Sequence, residues 1–493
     1  MTARYRFLVY LSGFLLLANL LVMNDFTSLW GGAESWLAWR SLSGESGLAP
    51  HELFMGWIMG EGPIPHFWIR LPGVVIFILS LALYWGITQR LFGAEVLRST
   101  LLILSASLLL PNLAKLATGD IWAMASQWLA YALLIRYMKQ PSLLWRAAFY
   151  LALLCAVWVQ PINALIFLMG SSALLYFLHP QGKRLWGLNP WLAGVLAFTG
   201  LYFSGMASLG QESFLVGFRT GRFLLWNLIG ILPFLGFVLA GLWETAQRLG
   251  RREELAILNA AALIFAFVAH SLALQGLLAL LAGRQLKNYF DPNYPHEPVV
   301  KAGALLHLVA AFCVLTLLMM GSFFQFRALG FRAALAAGGI YWMLSFIAVI
   351  GLFGPNRRYL YGGILLGGLL LTTLFWLQLN PLVEQMRGWP RALVEKSRQR
   401  TAMEGINQAF LVYRNGMPFP SLAPYSREAY PATRILKSSA ELQGQWNAPG
   451  NAVFFLERSD TEGLNNAIPA DTLRGWDNRL RNIEYVLLVK DGL

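Results

Sequence analysis

The feature that most limits what this chain can fold into is a succession of long apolar runs joined by short polar connections. An apolar run of roughly 20 residues crosses the hydrocarbon core of a bilayer as a helix, because every backbone group is then bonded within its own segment. Such runs fall near residues 5–24, 67–89, 97–115, 120–138, 143–159, 161–178, 190–207, 223–245, 255–281, 302–323, 331–352 and 359–380. The first lacks an A-x-A-like cleavage site before its polar loop, so it reads as a retained span. Two of the runs are parted only by Gln160-Pro161, which predicts a tight helical hairpin. Only 13% of residues are charged, against about 25% in a soluble chain. The 19 tryptophans suit rings placed at both water interfaces.

From about residue 381 the pattern changes to a polar segment rich in Pro, Asn and Arg. Val453-Phe454-Phe455-Leu456 and the alternation from Glu484 to Lys490 read as strands. The expected protein is an α-helical polytopic membrane domain over 1–380, with about 12–13 transmembrane helices, followed by a small soluble α/β domain over 381–493. A short interfacial helix is expected within residues 33–43, where Trp36 and Trp39 stand beside polar residues.

Charge sets the orientation. With the N-terminus inside, the inner connections hold Arg4, Arg6, Arg90, Arg98, Arg136, Lys139, Arg146, Lys183, Arg184, Arg248, Arg251 and Arg252. The outer ones over the same stretch hold only Arg40, Lys115, Arg219 and Arg222. Positive residues mark the cytoplasmic side, so the loop over 25–66 is extracytoplasmic. After the ninth run the rule weakens, since Arg284, Lys287, Lys301, Arg357 and Arg358 then fall outside, which points to a miscounted span. The net charge of +13 is spent on these connections, which argues for membrane lipid as a partner and against nucleic acid. Cys155 and Cys313 lie inside apolar runs as small hydrophobes, so no disulfide framework is expected.

Polar chemistry gathers on the outer side. Loop one carries Glu34, loop three ends at Asp120, and loop nine carries Lys287, Tyr289, Asp291, Tyr294 and His296. Glu34 is equally well an ordinary solvated acid. Asp120 stands where a helix begins, so it either caps amides or works at a membrane entry. Buried carboxylates near hydrocarbon are costly apart, so Glu34 and Asp120 are expected to share one outward cavity, with Lys287 and Tyr289 at its rim. Arg284 and Lys287 either hold a lipid phosphate or snorkel to the interface. Arg219 and Arg222 flank an amphipathic stretch and are placed near lipid phosphate. His66 and His296 are candidate ligands for a divalent metal, a weak signal without i,i+4 spacing. His270 and His307 fall inside apolar runs and read as packed.

Four stretches resemble the lipid-linked-sugar glycosyltransferases of GT-C fold, in the branch of aminoarabinose transferases and protein mannosyltransferases. They are Ala33-Glu34 in loop one; Arg70-Leu71-Pro72-Gly73 with Arg90-Leu91-Phe92-Gly93 around the second span; Ala117-Thr118-Gly119-Asp120 in loop three; and Lys287-Asn288-Tyr289 through Tyr294-Pro295. The resemblance implies transfer of a sugar from a polyprenyl-phosphate carrier to a lipid, glycan or protein acceptor, at the extracytoplasmic face of a bacterial-type inner membrane. Glu34 and Asp120 are then the catalytic carboxylates, and Arg70, Arg219, Arg222, Arg284, Lys287, Tyr289 and Tyr294 the candidates for holding substrate or lipid phosphate. No soluble cofactor is implied beyond a divalent metal. The family carries Asp where this chain has Ala33, so a catalytically silent scaffold that binds a lipid or a protein is the alternative. A transporter would show internal repeats, and none is evident.

Overall fold

Capping chemistry sets where several apolar runs begin in the computed structural model, which describes residues 3–22, 24, 31–43, 48–59, 64–206, 220–401, 406–412, 422–462, 464, 467–476 and 482–490. The Ser142 side chain accepts the Trp145 N–H, Asn189 that of Leu192 and Asn356 that of Arg358, which satisfies amides the helix itself leaves open. Pro161 and Pro190 stand at first helical positions, where the missing N–H is not needed.

In chain order the helices are α1 (Ala3–Leu21), α2 (Gly31–Ser43), α3 (Pro50–Met59), α4 (His66–Phe92), α5 (Ala94–Ala106), α6 (Leu110–Ala114) and α7 (Asp120–Lys139). Then come α8 (Leu143–Val159), α9 (Pro161–Leu178), α10 (Leu185–Leu188), α11 (Pro190–Phe203), α12 (Thr220–Gly230), α13 (Leu235–Gly250), α14 (Glu254–Val268) and α15 (Ala273–Asn288). The 57-residue α16 (Glu297–Phe353) and α17 (Arg357–Leu374) complete the apolar part, and α18 (Asn380–Arg387) and α19 (Trp389–Thr401) lead into the tail. By length and hydropathy alone, α4, α9, α16 and the run from Arg357 to Arg387 can each cross a membrane. The chain is a multi-pass membrane protein. The helix expected within 33–43 is present as α2.

Two departures from the expected spans matter. First, α16 breaks at Arg327, where φ is 55°. Beyond it the chain folds back: Phe323 meets Phe331 at 6.4 Å, Leu315 packs against Gly338, and His307 lies 3.2 Å from the Tyr341 hydroxyl and 3.3 Å from that of Ser345. The partners recede from Arg327 in both directions, so α16 is two antiparallel arms, matching the runs at 302–323 and 331–352. Second, the single run expected at 255–281 is two helices. His270 adopts φ 50° and the Ser271 N–H donates to the Ala266 carbonyl at 2.8 Å, a Schellman-type stop before α15 restarts. Ala269 and Leu272 flank only two polar residues, His270 and Ser271, so a hydropathy window averages across the turn.

The added helix moves every later connection to the opposite end. Lys287 at the end of α15 lies 3.7 Å from Glu95 at the start of α5, and Gly283 packs against Thr100. Loop nine therefore shares an end with loop two and not with loop three, correcting the expectation. Arg284, Lys287, Lys301, Arg357 and Arg358 then fall at the end that holds Glu95 and Arg98, while Arg327 and Arg332 at the break of α16 fall at the other.

The chain clusters into two compact units. One comprises Met1–Val22, Ser46–His51 and Arg70–Leu379; the other comprises Met23–Glu45, Glu52–Ile69 and Asn380–Leu493. The second unit thus adds two segments of loop one to the tail. Its tail holds β1 (Gln408–Val412), α20 (Ala423–Ala429), β2 (Ala432–Leu436), α21 (Ser439–Asn447), β3 (Ala452–Glu457), β4 (Asp471–Trp476) and β5 (Asn482–Lys490). The sheet order is β2-β1-β3-β5-β4, with β1 parallel to both neighbours and β5 antiparallel to both of its own. Phe410, Phe454, Val486 and Leu488 build its core. Loop one rests on α20: Arg427 stands 5.5 Å over the Trp39 ring, His66 stacks on Tyr425 at 5.8 Å, and the Ile64 N–H donates to Glu428 Oε2 at 3.3 Å. Tail and loop one therefore lie on one side.

Candidate functional site

In the first unit the chemistry collects between the end of α6 and the start of α7. Asp120 opens α7 with its side chain almost wholly buried, and Oδ2 accepts the Thr118 hydroxyl at 2.9 Å. The amides of the first turn favour a negative charge there. A methyl group at Gly119 would lie 2.6 Å from His51 Cε1, so only glycine lets that ring sit against the backbone just before Asp120.

Lys115, in the connection just past α6, is 2% exposed. Its Nζ donates to the Val22 carbonyl at 2.7 Å and lies 3.9 Å over the Trp376 ring. Arg70, also 2% exposed, enters from α4. The motif that carries it explains the approach: a Cβ on Gly73 would stand 2.8 Å from the Ala114 carbonyl, so glycine alone lets α4 lie this close. Burial, with the Arg70 charge nearby, pushes the Lys115 ammonium down to about 6. Two basic groups buried within range of each other favour a neutral amine, or an anion that holds both charged.

In the second unit, Glu34 stands in the first turn of α2, fully buried, and feels the charge of Arg387 on α18. One turn and a half further on, Arg40 Nη1 meets Glu52 Oε1 at 2.9 Å in a pair that is itself buried. Burial raises the Glu428 carboxyl, opposed by the Ile64 N–H and by Arg398 and Arg391. Glu34 and Asp120, expected to meet, belong to different compact units.

Other candidates have different surroundings. Arg284 pairs with Glu244 at 3.3 Å, Tyr294 donates to Gln285 Oε1 at 2.7 Å, and Tyr289 donates to the Leu352 carbonyl at 2.8 Å. These contacts knit α13, α15 and α16 at the basic end, so Lys287 and Tyr289 form no rim beside Asp120. Arg222 is exposed on α12, while Arg219 lies outside the described residues. His66 is buried against Tyr425, and His296 packs edge-on against Tyr294 at 5.8 Å. Among the described residues no three His, Cys, Asp or Glu side chains gather as a metal site, so neither histidine gains a set of ligands. Lys115, His51 and Arg387 were missed as site residues by sequence reasoning. Only the position of Lys115, five residues before an acid at a membrane entry, was a usable signal.

No protein-family model matches the chain, and no curated protein matches it. Among solved structures it is similar to the crystal structure of ArnT from Cupriavidus metallidurans in the apo state, with TM-score 0.70 and 15% identity, over 99% of this chain and 98% of that one. It is also similar to ArnT from the same organism bound to undecaprenyl phosphate, with TM-score 0.68 and 14% identity, over 98% and 97% of the two chains. The likeness shows a shared fold along the whole length, the GT-C-like architecture expected from the sequence.

Proposed function

We propose that this chain transfers a sugar from a polyprenyl-phosphate carrier to a lipid, glycan or protein acceptor, on the extracytoplasmic side of a bacterial-type inner membrane. The observation that carries the proposal is the buried basic pair Arg70 and Lys115, in a fold that one neighbour shows with undecaprenyl phosphate. An acceptor hydroxyl attacks the anomeric carbon; the bond from that carbon to the phosphate oxygen breaks, and the phosphate leaves with the electron pair. Arg70 and Lys115 hold the charge that grows on the departing phosphate, which is where fixed positive groups help most. A carboxylate takes the acceptor proton, a role worth roughly 10²–10⁴-fold in rate. Glu34 is assigned that role and Asp120 the orientation of acceptor or cation. The excess of basic residues in the opposite connections, once α15 is counted, supports the extracytoplasmic side for loop one and the tail, against Arg327 and Arg332 at the α16 turn.

One observation favours a second reading: Ala33 occupies the position at which the resembling family carries its Asp. A chain that binds the carrier and transfers nothing would be a scaffold. The two readings separate in one experiment, in which purified protein is given labelled lipid-linked sugars and membrane extract, with Glu34→Gln in parallel. The transferase reading expects turnover that falls about 10²–10⁴-fold in the variant while carrier binding persists. Binding without turnover in the unaltered chain leaves the scaffold, and neither binding nor turnover sinks both.

A further inference from the structure

At the basic end of the first unit, α5, α15 and the head of α17 line an open cleft of ≈ 1300 Å³. That is more than the 300–1,000 Å³ or so of an ordinary small-molecule site. Its α5 wall follows one stripe from Glu95 and Arg98 through Leu101 and Leu102 to Ser105. Ten residues of helix make that stripe about 15 Å long, running from the water interface into the hydrocarbon layer. The mouth is charged, and Leu101 and Leu102 give the stripe beyond it an apolar stretch before Ser105.

The charges at the mouth are not equivalent. Lys287 faces Glu95 at 3.7 Å, and Asp291 Oδ1 accepts the Asn293 N–H at 3.1 Å. Arg98 and Arg357 also line the cavity, and neither has an ion-pair partner among the described residues. Arg357 is held 4.9 Å over the Phe290 ring, which fixes its guanidinium at the opening and leaves its N–H edge for an acceptor. Counting Glu95 and Asp291 against Arg98, Lys287 and Arg357, one positive charge is in excess.

We infer that this cavity is a binding site for an anionic phospholipid of the inner leaflet, its phosphodiester held by Arg98 and Arg357 and an acyl chain laid along Leu101 and Leu102. A soluble phosphoester would use the arginines and leave the apolar depth unfilled; a zwitterionic lipid would use the depth and gain less from the excess charge. The site lies at the opposite end of α5 from the connection that carries Lys115 and Asp120, so it stands or falls apart from the transfer reaction.

Native mass spectrometry of the purified full-length protein tests it, with phosphatidylglycerol, phosphatidylcholine and glycerol 3-phosphate titrated separately. Phosphatidylglycerol should be retained in preference to phosphatidylcholine, and the double variant R98Q/R357Q should weaken it roughly 10- to 30-fold. Both arginines are exposed, so the fold does not depend on them. Leu102→Trp fills the depth with both arginines in place, and it should also weaken the lipid. Equal retention of the two lipids, or undiminished phosphatidylglycerol in the double variant, overturns the site. Tight glycerol 3-phosphate that needs the arginines and ignores Leu102→Trp overturns the lipid as its occupant.

Discussion

Lys115 and Lys287 stand at opposite ends of the same helix bundle, and both are lysines at the close of an apolar stretch. Lys115 is 2% exposed, bonded to one carbonyl and covered by a tryptophan face. Lys287 is about half exposed, with its amine 3.7 Å from a still more exposed Glu95. A buried amine forfeits hydration and is tolerated only where something else is gained; a half-exposed pair on the surface costs little and contributes little. On the proposed reaction the first belongs to the chemistry and the second to the topology. The same division separates the buried Arg40–Glu52 pair from Lys139–Glu254 and Arg248–Glu253, which line the basic end partly in water.

The contrast can be broken most sharply at Lys115. Replacing it with Met should lower affinity for undecaprenyl phosphate by ~10–100-fold, the worth of a hydrogen bond to a charged group, measured with the purified protein in nanodiscs. Lys287→Met should leave that affinity unchanged, and a loss of similar size there would erase the distinction. Next in size is Arg40→Ala, which strips a buried carboxylate of this partner and should cost the second unit about 3–5 kcal/mol, read from denaturant unfolding followed at tail tryptophans.

A subtler effect follows from protonation. Burial, with the Arg70 charge beside it, pushes the Lys115 ammonium from the ordinary lysine value of 10.5 down to about 6. Its depressed value means that the unfolded chain binds the extra proton between those limits, so stability should rise with pH across this window. A phosphate entering beside it should bring a proton along. Calorimetric titrations at pH 7.5 in buffers of different ionisation enthalpy should show uptake of a fraction of a proton, abolished in Lys115→Met. Smallest of all, Lys139→Ala at the basic end should change stability by less than about 1 kcal/mol and leave transfer untouched.

How much was legible from the chain depends on what each signal measures. The boundaries of α8 and α9 coincide with the expected 143–159 and 161–178, because Ser142 and Pro161 punctuate them. Strands β3 and β5 were visible through their alternation. The turn at 269–272 was not, because a Schellman stop made by His270 needs only one residue with positive φ, and the two polar residues His270 and Ser271 are too short a break to divide the apolar run. That single omission carried Lys287, Tyr289 and Tyr294 to the wrong end. Arg70 was picked out by its motif, while its closeness to Lys115 depends on Gly73 seated against the Ala114 carbonyl, across some forty residues of chain.

By itself the sequence determined the membrane class, the placing of most helices, the α/β character of the tail and the acidic candidates Glu34 and Asp120. Those properties follow from local apolar content, capping residues and alternation, which act over a turn or two of backbone. Only the tertiary structure decided which ends share a face, which lysine is buried and which is bathed, and that loop one and the tail form one unit. Each of these depends on how distant segments exclude water from one another, and no window along the chain records that.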